Sequence, residues 1–269
     1  MRRDDKFIWI FILCLLGFTG ALFAGAWPQA KGHYYTKLTG IYSDASGIHG
    51  SASNATFTDY SLYLYGEYGL FERTSVVLST PLVKQSQNEA NFLLGETTGL
   101  VAGDVEIQAK YQFWDSGVVA SLLGGVKIPL VYDVVDIPPL GNGETDLDGK
   151  LLIGASFYPI PAYATGDVGY RQRGGDFVDE INFSFEAGYT FFQKYLLRFL
   201  ATGIRSVESA QGESTLLGFP LEQERTRAGG GIIYQLNNRL EIDVTYLNTF
   251  SGKNIPKSNE IFIGVAYKR

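Results

Sequence analysis

Polar and apolar residues alternate one by one along much of this chain. The stretch Gly103–Trp114 reads GDVEIQAKYQFW, in which Glu106, Gln108 and Lys110 each lie between apolar or aromatic residues. Because successive side chains of a strand point to opposite sides, this period of two predicts an extended strand with one polar and one apolar face. Two aromatic residues end the stretch, and a turn at residues 115–117 follows them.

The same alternation recurs in twelve segments after residue 26, with almost no helical periodicity among them. The predicted strands are His33–Ser43, Thr58–Leu70, Arg73–Lys84, Gly103–Trp114, Val118–Val131, Thr145–Tyr158, Ala162–Arg173, Asp179–Phe191, Lys194–Arg205, Leu221–Gln235, Arg239–Phe250 and Asn259–Lys268. Connections after the even strands are tight, whereas those after the odd strands are mostly long, polar and rich in glycine. This asymmetry is typical of outer-membrane barrels, which place short turns in the periplasm and long loops outside. The sequence therefore predicts an all-β fold, a single antiparallel up-and-down transmembrane barrel of about twelve strands.

The first 26 residues have the composition of a secretory signal peptide. Three basic residues among the first six precede an apolar run at 7–23, and the small tripeptide Ala-Gly-Ala follows at 24–26. We expect cleavage after this tripeptide, which leaves 27–269 as the barrel domain. An uncleaved anchor is the alternative, but the run is short for a spanning helix of about 20 residues. The single cysteine, Cys14, lies inside the run, so the mature chain would contain none.

Charge excludes one class of partner. The chain has 22 basic and 28 acidic residues, and without residues 1–26, which hold three basic and two acidic ones, the net charge is 19 − 26 = −7. An acidic chain without a basic patch is a poor ligand for nucleic acid. A membrane location would require a closed barrel, because no further apolar run reaches helix-spanning length. The expected location is the bacterial outer membrane, and the expected partners are outer-membrane lipid, the barrel-assembly machinery and a small organic solute; the oligomeric state stays open.

The polar faces of the strands supply candidate lumen-lining residues. They are Glu67, Glu106, Lys110, Lys127, Asp146, Asp148, Lys150, Asp167, Arg171, Arg173, Glu180, Glu186, Arg198, Glu241, Asp243 and Glu260. Both signs are interleaved, so these charges could pair across neighbouring strands and bind nothing else. Lys110 and Lys150 lie within reach of Glu106 and Asp148 on the same faces. Twelve strands enclose a lumen wider than that of an eight-stranded barrel and narrower than that of a sixteen-stranded porin.

The apolar faces supply the residues expected to face lipid. Representative positions are Leu64, Ile107, Ile153, Phe183, Phe185 and Ile263. Aromatic residues gather beside the predicted periplasmic turns, as in the interfacial girdles of membrane barrels. They are Tyr68, Phe71, Phe113, Trp114, Phe157, Tyr158, Phe191, Phe192, Tyr234 and Tyr267. Core aromatics of a soluble β protein are the alternative, which would turn the charged faces of the strands to solvent.

No catalytic, cofactor or metal site is predicted. His49-Gly50-Ser51 has the His-x-Ser spacing of a barrel phospholipase, but a nucleophilic serine needs a base and an orienting group within hydrogen-bond reach. With only Asn54 nearby in a small-residue loop, a simple polar loop is the favoured interpretation. The acidic pairs Asp146 with Asp148 and Asp179 with Glu180 are similar to the carboxylates of outer-membrane proteases, but no histidine lies near them. A loop-rim charge or a cation site is the simpler interpretation, although no calcium-loop motif supports the latter. No thiolate, zinc spacing or phosphate loop occurs.

Four short segments resemble one family of outer-membrane proteins. The segments are Gly103-Asp104-Val105-Glu106 with Lys110-Tyr111, Gly125-Val126-Lys127-Ile128-Pro129, Gly143-Glu144-Thr145-Asp146-Leu147, and Gly169-Tyr170-Arg171 with Asp179-Glu180. Together they resemble the family named after the MetA pathway of phenol degradation. The resemblance implies an outer-membrane barrel that passes small organic molecules, and it carries over no ligand-binding residue. One feature departs from outer-membrane barrels in general, since the last aromatic residue, Tyr267, is followed by Lys268 and Arg269.

Three functions follow as hypotheses. The first is a passive channel or transporter for small organic molecules, including hydrophobic or aromatic ones. The second is a structural or adhesive barrel whose lumen is closed by its own ion pairs. The third is an outer-membrane hydrolase that cleaves lipid or peptide, for which the sequence offers only the His-x-Ser spacing and the acidic pairs. We expect the protein not to be an enzyme.

Overall fold

Twelve antiparallel strands, each paired with its neighbours in sequence, form a barrel that closes between the first strand and the last. The computed structural model describes residues 25–51, 56–88, 103–130, 132, 141–209 and 221–269. The strands are β1 (Tyr34–Ile48), β2 (Thr56–Phe71), β3 (Thr74–Asn88), β4 (Val105–Ser116), β5 (Val118–Ile128), β6 (Asp146–Ser156), β7 (Ala162–Gln172), β8 (Glu180–Phe191), β9 (Tyr195–Ser206), β10 (Glu224–Gln235), β11 (Leu240–Lys253) and β12 (Pro256–Lys268). The predicted fold class is confirmed, and each predicted segment overlaps one strand.

The two kinds of connection lie at opposite ends of the barrel. Tight turns follow the even strands, and the shortest is Gly117, which alone links β4 to β5. Its φ of 73° is a conformation that favours glycine. Most connections after the odd strands are longer. We call the two ends the turn end and the loop end. Residues 89–102 and 210–220, which belong to two of these long connections, lie outside the described residues.

The last connection at the loop end is shorter than the sequence predicts. We expected a loop containing Pro256, but Pro256 is the first residue of β12 and pairs with Ile48. Only Asn254 and Ile255 separate β11 from β12. The first residue of a strand tolerates proline, because no ladder hydrogen bond is lost there, and asparagine tolerates the φ of 57° that Asn254 adopts.

The outer surface of the barrel is apolar. Among the positions expected to face lipid, Ile107, Ile153, Phe185 and Ile263 are exposed, whereas Leu64 and Phe183 are half-buried. Other large apolar side chains exposed on the strands include Leu122, Leu147, Val168, Leu197, Phe199 and Val265. A soluble protein rarely exposes apolar surface of this extent, so the outer surface is suited to contact with lipid.

Aromatic side chains encircle the turn end. Rings stack from Phe191 to Tyr195 and from Tyr195 to Tyr234 across three neighbouring strands. On β4, a register shift between Gln112 and Trp114 interrupts the strict alternation. Because such a bulge opposes two residues to one on the partner strand, Phe113 and Trp114 are both exposed. The predicted girdle residues thus lie at one end of the barrel.

Among the described residues, no helix has both the length and the apolar composition needed to cross a membrane.

Candidate functional site: the barrel interior

The candidate lumen residues are mostly buried. Thirteen of the sixteen are buried, and Asp167, Arg173 and Glu186 are half-buried. Unpaired charges are costly inside a protein, so burial on this scale requires partners. The partners form several separate groups, each confined to one side or one end of the barrel.

The first group, which we call the β4–β7 network, consists of ion pairs between β4, β6 and β7, with an added hydrogen bond from β8. Arg171 lies 2.9 Å from the Glu106 carboxylate and 3.7 Å from that of Asp148, and Lys150 lies 3.8 Å from Asp148. The Asn182 amide also donates to Asp148, at 3.2 Å. The Gln108 amide donates to Asp148 as well, at 3.2 Å, so this single carboxylate contacts four side chains from β4, β6, β7 and β8.

Lys110 belongs to a different pair from the expected one. Its ammonium lies 3.0 Å from Glu67 on β2, not against Glu106. The Tyr65 hydroxyl donates to the same carboxylate at 2.9 Å, and Ser75 donates to it as well. The expected pairing along one strand is therefore wrong for Lys110, because the lysine reaches past β3 to a more distant strand. For Lys150 the expected neighbour, Asp148, is at the correct place.

A second network, the β1–β11 network, occupies the opposite side. Lys37 lies 3.0 Å from Asp243, and Arg198 bridges Asp243 to Glu186, with 3.2 Å to the latter. The Thr245 hydroxyl accepts a hydrogen bond from Arg198 at 3.0 Å. The charges are balanced by pairing between strands far apart in sequence.

An apolar layer lies next to the β1–β11 network, one or two inward positions closer to the loop end. It consists of Ile41, Leu200, Leu247 and Phe262, all buried, with Tyr63 packed against them. On the other side of this layer Arg227 pairs with Glu260 and receives further support from the Thr202 hydroxyl at 2.9 Å.

The guanidinium of Arg227 lies 5.9 Å from the centre of the Phe262 ring, a cation–π distance. This side of the barrel, which we call the packed side (β9–β12 with β1), therefore resembles a protein core. Charged, apolar and charged layers succeed one another along it.

A further group, the loop-end network, holds one connection onto the barrel. Lys127 lies 3.1 Å from Asp104 and 3.0 Å from Asp146, and Arg173 lies 3.3 Å from Asp146 and pairs with Glu180. The candidates at this end thus neutralise one another.

Tyr132, in the connection between β5 and β6, donates a hydrogen bond to Asp104. Burial and the neighbouring Asp104 carboxylate raise the pKa of Tyr132, so the phenol stays protonated as the donor.

The residues that precede β1 lie inside the barrel. The backbone amide of Gln29 donates to the Glu67 carboxylate at 3.3 Å, and the Ser121 hydroxyl donates to the Ala26 backbone carbonyl. Trp27 meets the edge of the Tyr163 ring at a centroid distance of 6.3 Å. A Cβ on Gly154 would lie 2.6 Å from the Trp27 indole, so only glycine leaves room for the ring there.

Residues 27–32, which follow the predicted cleavage site, form what we call the N-terminal segment. Against it packs an apolar cluster made by Tyr65, Val77, Val119, Leu123 and Leu152, to which Ala26 of the uncleaved chain also belongs. The segment therefore fills part of the interior near the turn end.

One wall of the interior remains partly accessible. Along β7 and β8 the inward residues Tyr163, Thr165, Asp167, Ser184 and Glu186 are half-buried, unlike the fully buried charges of the packed side. We call this strip the open wall. It contains hydroxyl groups and two carboxylates.

Sequence reasoning missed several interior residues. Lys37, Asp59, Arg225 and Arg227 are buried and charged but were absent from the candidates. The signal for Lys37 was present in the sequence, because it alternates with Leu38 and shares a face with Thr39, Ile41 and Ser43. No alternation in the sequence could predict that Trp27 lies inside the barrel, because the N-terminal segment forms no strand.

The residues considered for hydrolysis do not assemble into a catalytic group. The ring of His49 hydrogen-bonds to the Thr249 carbonyl at 3.2 Å, and a carbonyl only accepts, so Nε2 is the donor there. Ser51 is exposed, and Asn54 lies outside the described residues. Asp179 accepts hydrogen bonds from the Tyr170 hydroxyl and the Arg173 backbone amide. Among the described residues, no group of three or more His, Cys, Asp and Glu side chains is placed to hold a metal ion.

The barrel has the fold of known outer-membrane channels. An outer membrane channel from Pseudomonas putida F1 is similar over 91% of this chain and 98% of its own, with a TM-score of 0.69 and 14% sequence identity. The NanC porin is similar over 87% of this chain and 100% of its own, with a TM-score of 0.55 and 12% identity. The translocator domain of the autotransporter NalP from Neisseria meningitidis covers 89% of each chain, with a TM-score of 0.51 and 10% identity.

At such low identity these likenesses show the fold alone. No protein-family model and no curated protein matches the chain. The resemblance to the family named after the MetA pathway therefore stays an expectation.

Proposed function

We propose that the protein is an outer-membrane channel that passes small solutes by diffusion along the open wall. The observation that carries the proposal is the contrast in burial within one interior. Thirteen of the sixteen candidate charges are buried, whereas the inward residues in the middle of β7 and β8 stay half-exposed. Water can reach such a strip, and a strip of hydroxyls and carboxylates provides hydrogen-bonding groups for a hydrated solute.

The apolar outer surface and the aromatic band at the turn end support insertion in the outer membrane. We propose that the chain is exported with residues 1–26 as a cleaved signal, that the barrel-assembly machinery inserts it, and that the turn end faces the periplasm. Cysteine variants test this arrangement. Ile107→Cys and Ile263→Cys should resist a water-soluble thiol reagent in intact vesicles, and Asp167→Cys should react. Reaction of both outward variants would reject the orientation of those strands.

The N-terminal segment supports a narrow rather than a wide channel. It occupies the turn end of the interior beside Lys110 and Glu67. The segment therefore reduces the cross-section of the lumen at that end. Small organic molecules are the solutes we propose, and the Trp27 ring beside the open-wall residue Tyr163 offers an aromatic contact for a hydrophobic part of such a molecule.

Planar-bilayer recording tests the proposal. The protein is purified from the outer membrane of cells that express the full chain, and its heat-dependent migration on a gel reports a folded barrel. We expect small, steady conductance steps.

A specific observation favours a second candidate, a structural or adhesive barrel with a closed interior. Most interior charges form ion pairs. A densely packed interior of this kind is also what a barrel without a conducting path requires. A folded barrel that shows no conductance, with or without the N-terminal segment, would favour this second function over the first. Liposome swelling with small sugars and amino acids provides an independent readout.

A further inference from the structure

Asp167 differs from every other carboxylate among the candidate lumen residues. Within the described part of the chain, each of the others lies within 4.0 Å of a lysine or arginine nitrogen, whereas Asp167 has no such partner. The Ser184 hydroxyl donates to one oxygen of Asp167. The other oxygen, Oδ1, accepts no hydrogen bond from the described residues. Oδ1 is itself buried, and Lys150 acts on the Asp167 charge from beyond ion-pair distance. One acceptor oxygen of this carboxylate therefore stays unused beside the open wall.

A second unused acceptor lies on the next strand. Asn182 on β8 is 2% exposed, and its amide nitrogen donates to Asp148. Its carbonyl oxygen, Oδ1, finds no donor among the described residues. Buried polar atoms are nearly always hydrogen-bonded, so an orphaned oxygen points to a missing partner that carries a donor or a positive charge.

The strand register brings these groups together. Asp167 pairs with Ser184, and Gly169 pairs with Asn182, two residues further along both strands. A Cβ on Gly169 would lie 2.5 Å from Cγ of Lys150 and 2.6 Å from the Asn182 carbonyl oxygen, so the absence of a side chain leaves room for both groups. Thr165, two residues from Asp167 on the same face, adds a hydroxyl that donates its proton to the Ile153 carbonyl at 3.0 Å and keeps its oxygen lone pairs for a cation. The result is a row of oxygen atoms on two adjacent strands.

We infer that Asp167 and the Asn182 carbonyl oxygen, with the hydroxyls of Ser184 and Thr165, form a cation-binding station on the open wall that makes the channel cation-selective. The chemical class of ligand is a small monovalent cation or a solute with an ammonium group. Hard cations prefer oxygen ligands, and an ammonium group has three donors for them. This inference rests on the proposed channel function.

Reversal potentials in a KCl gradient test the station. The wild-type channel should prefer potassium over chloride, and Asp167→Asn should lower this preference by about fivefold, the factor expected for one unit charge about 4 Å from the ion in aqueous surroundings. The matched control is Asp115→Asn, which removes the same charge from an exposed position beside the turn after β4. Asp167→Glu should keep the preference. Equal permeability ratios in Asp167→Asn and Asp115→Asn would overturn the inference.

Chemical modification of a cysteine variant distinguishes loss of the charge at position 167 from a folding defect. The only cysteine of the chain is Cys14, in the predicted signal peptide, so Asp167→Cys introduces a unique thiol in the mature barrel. A negatively charged thiol reagent should restore the cation preference of the reconstituted channel, and a neutral reagent of similar size should not. Restoration by both reagents, or by neither, would contradict a role for the charge. A wild-type barrel without any conductance would instead reject the proposed channel, which separates the two failures.

Discussion

The packed side and the open wall are built from the same sequence pattern but differ in how their charges are satisfied. On the packed side Arg227 and Glu260 are each no more than 2% exposed in their side chains, and they bind each other beside an apolar layer. On the open wall Asp167 is half-exposed, accepts a hydrogen bond from the Ser184 hydroxyl and lies beyond ion-pair distance of the Lys150 ammonium. A buried charge is costly once it loses its partner, and a paired charge leaves little field in the lumen, whereas an unpaired charge would act on whatever passes through the proposed channel. We therefore expect substitutions on the packed side to change stability and those on the open wall to change selectivity.

Removal of one partner of a buried pair should have the largest effect on stability. Glu260→Ala leaves the Arg227 guanidinium buried without its carboxylate, and we expect a loss of about 3–5 kcal/mol in the free energy of unfolding. Urea titration in lipid vesicles, followed by tryptophan fluorescence, measures this loss. The control is Arg205→Ala, since Arg205 lies 3.8 Å from Glu224 and both side chains are partly exposed to solvent. Its loss should cost about 1 kcal/mol or less.

A double variant sharpens the interpretation of that result. Replacement of Arg227 by Met together with Glu260→Leu removes both charges and keeps most of the volume, so stability should recover to near the wild-type value. A double variant as unstable as Glu260→Ala would mean that packing, not the uncompensated charge, explains the loss. Neither variant should alter ion selectivity if the packed side lies away from the conducting path.

Truncation in the apolar layer should come next in size. Leu247 is fully buried between the two charged layers. Leu247→Ala leaves a cavity, and we expect a loss of about 3 kcal/mol in the free energy of unfolding. Thr165→Ala on the open wall is the control and should change stability by about 0.5 kcal/mol or less. Similar losses for both variants would contradict the division into a packed side and an open wall.

The strands and their inward faces could be predicted from sequence, whereas the division of the interior could not. Alternation within one strand reveals that Glu106, Lys110 and Asp167 share the polar side of the sheet. It does not reveal that Lys110 binds Glu67, because that pair depends on the register of two strand pairings and on the small side chain of Ser75 between them. A lysine also reaches several positions, so proximity along one strand is a weak guide to its partner.

The N-terminal segment marks the other limit of sequence reasoning. Its position depends on a close approach between the Trp27 ring and the backbone at Gly154, and a lone glycine on a strand carries no sign of its partner. The same pattern would suit a glycine that merely relieves strand curvature. The prediction of a loop around Pro256 was wrong for a related reason. Proline in a polar stretch resembles a loop signal, and only the pairing with Ile48 shows that it begins a strand.

Displacement of the N-terminal segment should change conductance more than stability. Gly154→Ala places a methyl group where the Trp27 indole lies, so the ring must move, and we expect larger single-channel conductance in planar bilayers. Gly149→Ala is the matched control on the same strand, because a Cβ there meets nothing within 4 Å. Trp27→Ala should reproduce the increase. Unchanged conductance in both Gly154→Ala and Trp27→Ala would show that the segment does not narrow the path.

The smallest expected effect is that of the hydroxyl beside Asp167. Ser184→Ala removes one neutral donor but leaves the carboxylate charge in place, so the free energy of unfolding should fall by about 1 kcal/mol or less. The cation preference should stay close to the wild-type value, because a field that attracts ions depends on the charge more than on one hydroxyl. Reversal potentials and urea titrations on the same preparation measure both quantities. A loss of selectivity as large as that of Asp167→Asn would mean that Ser184 positions the carboxylate, and the open wall would then need its hydroxyls as much as its charge.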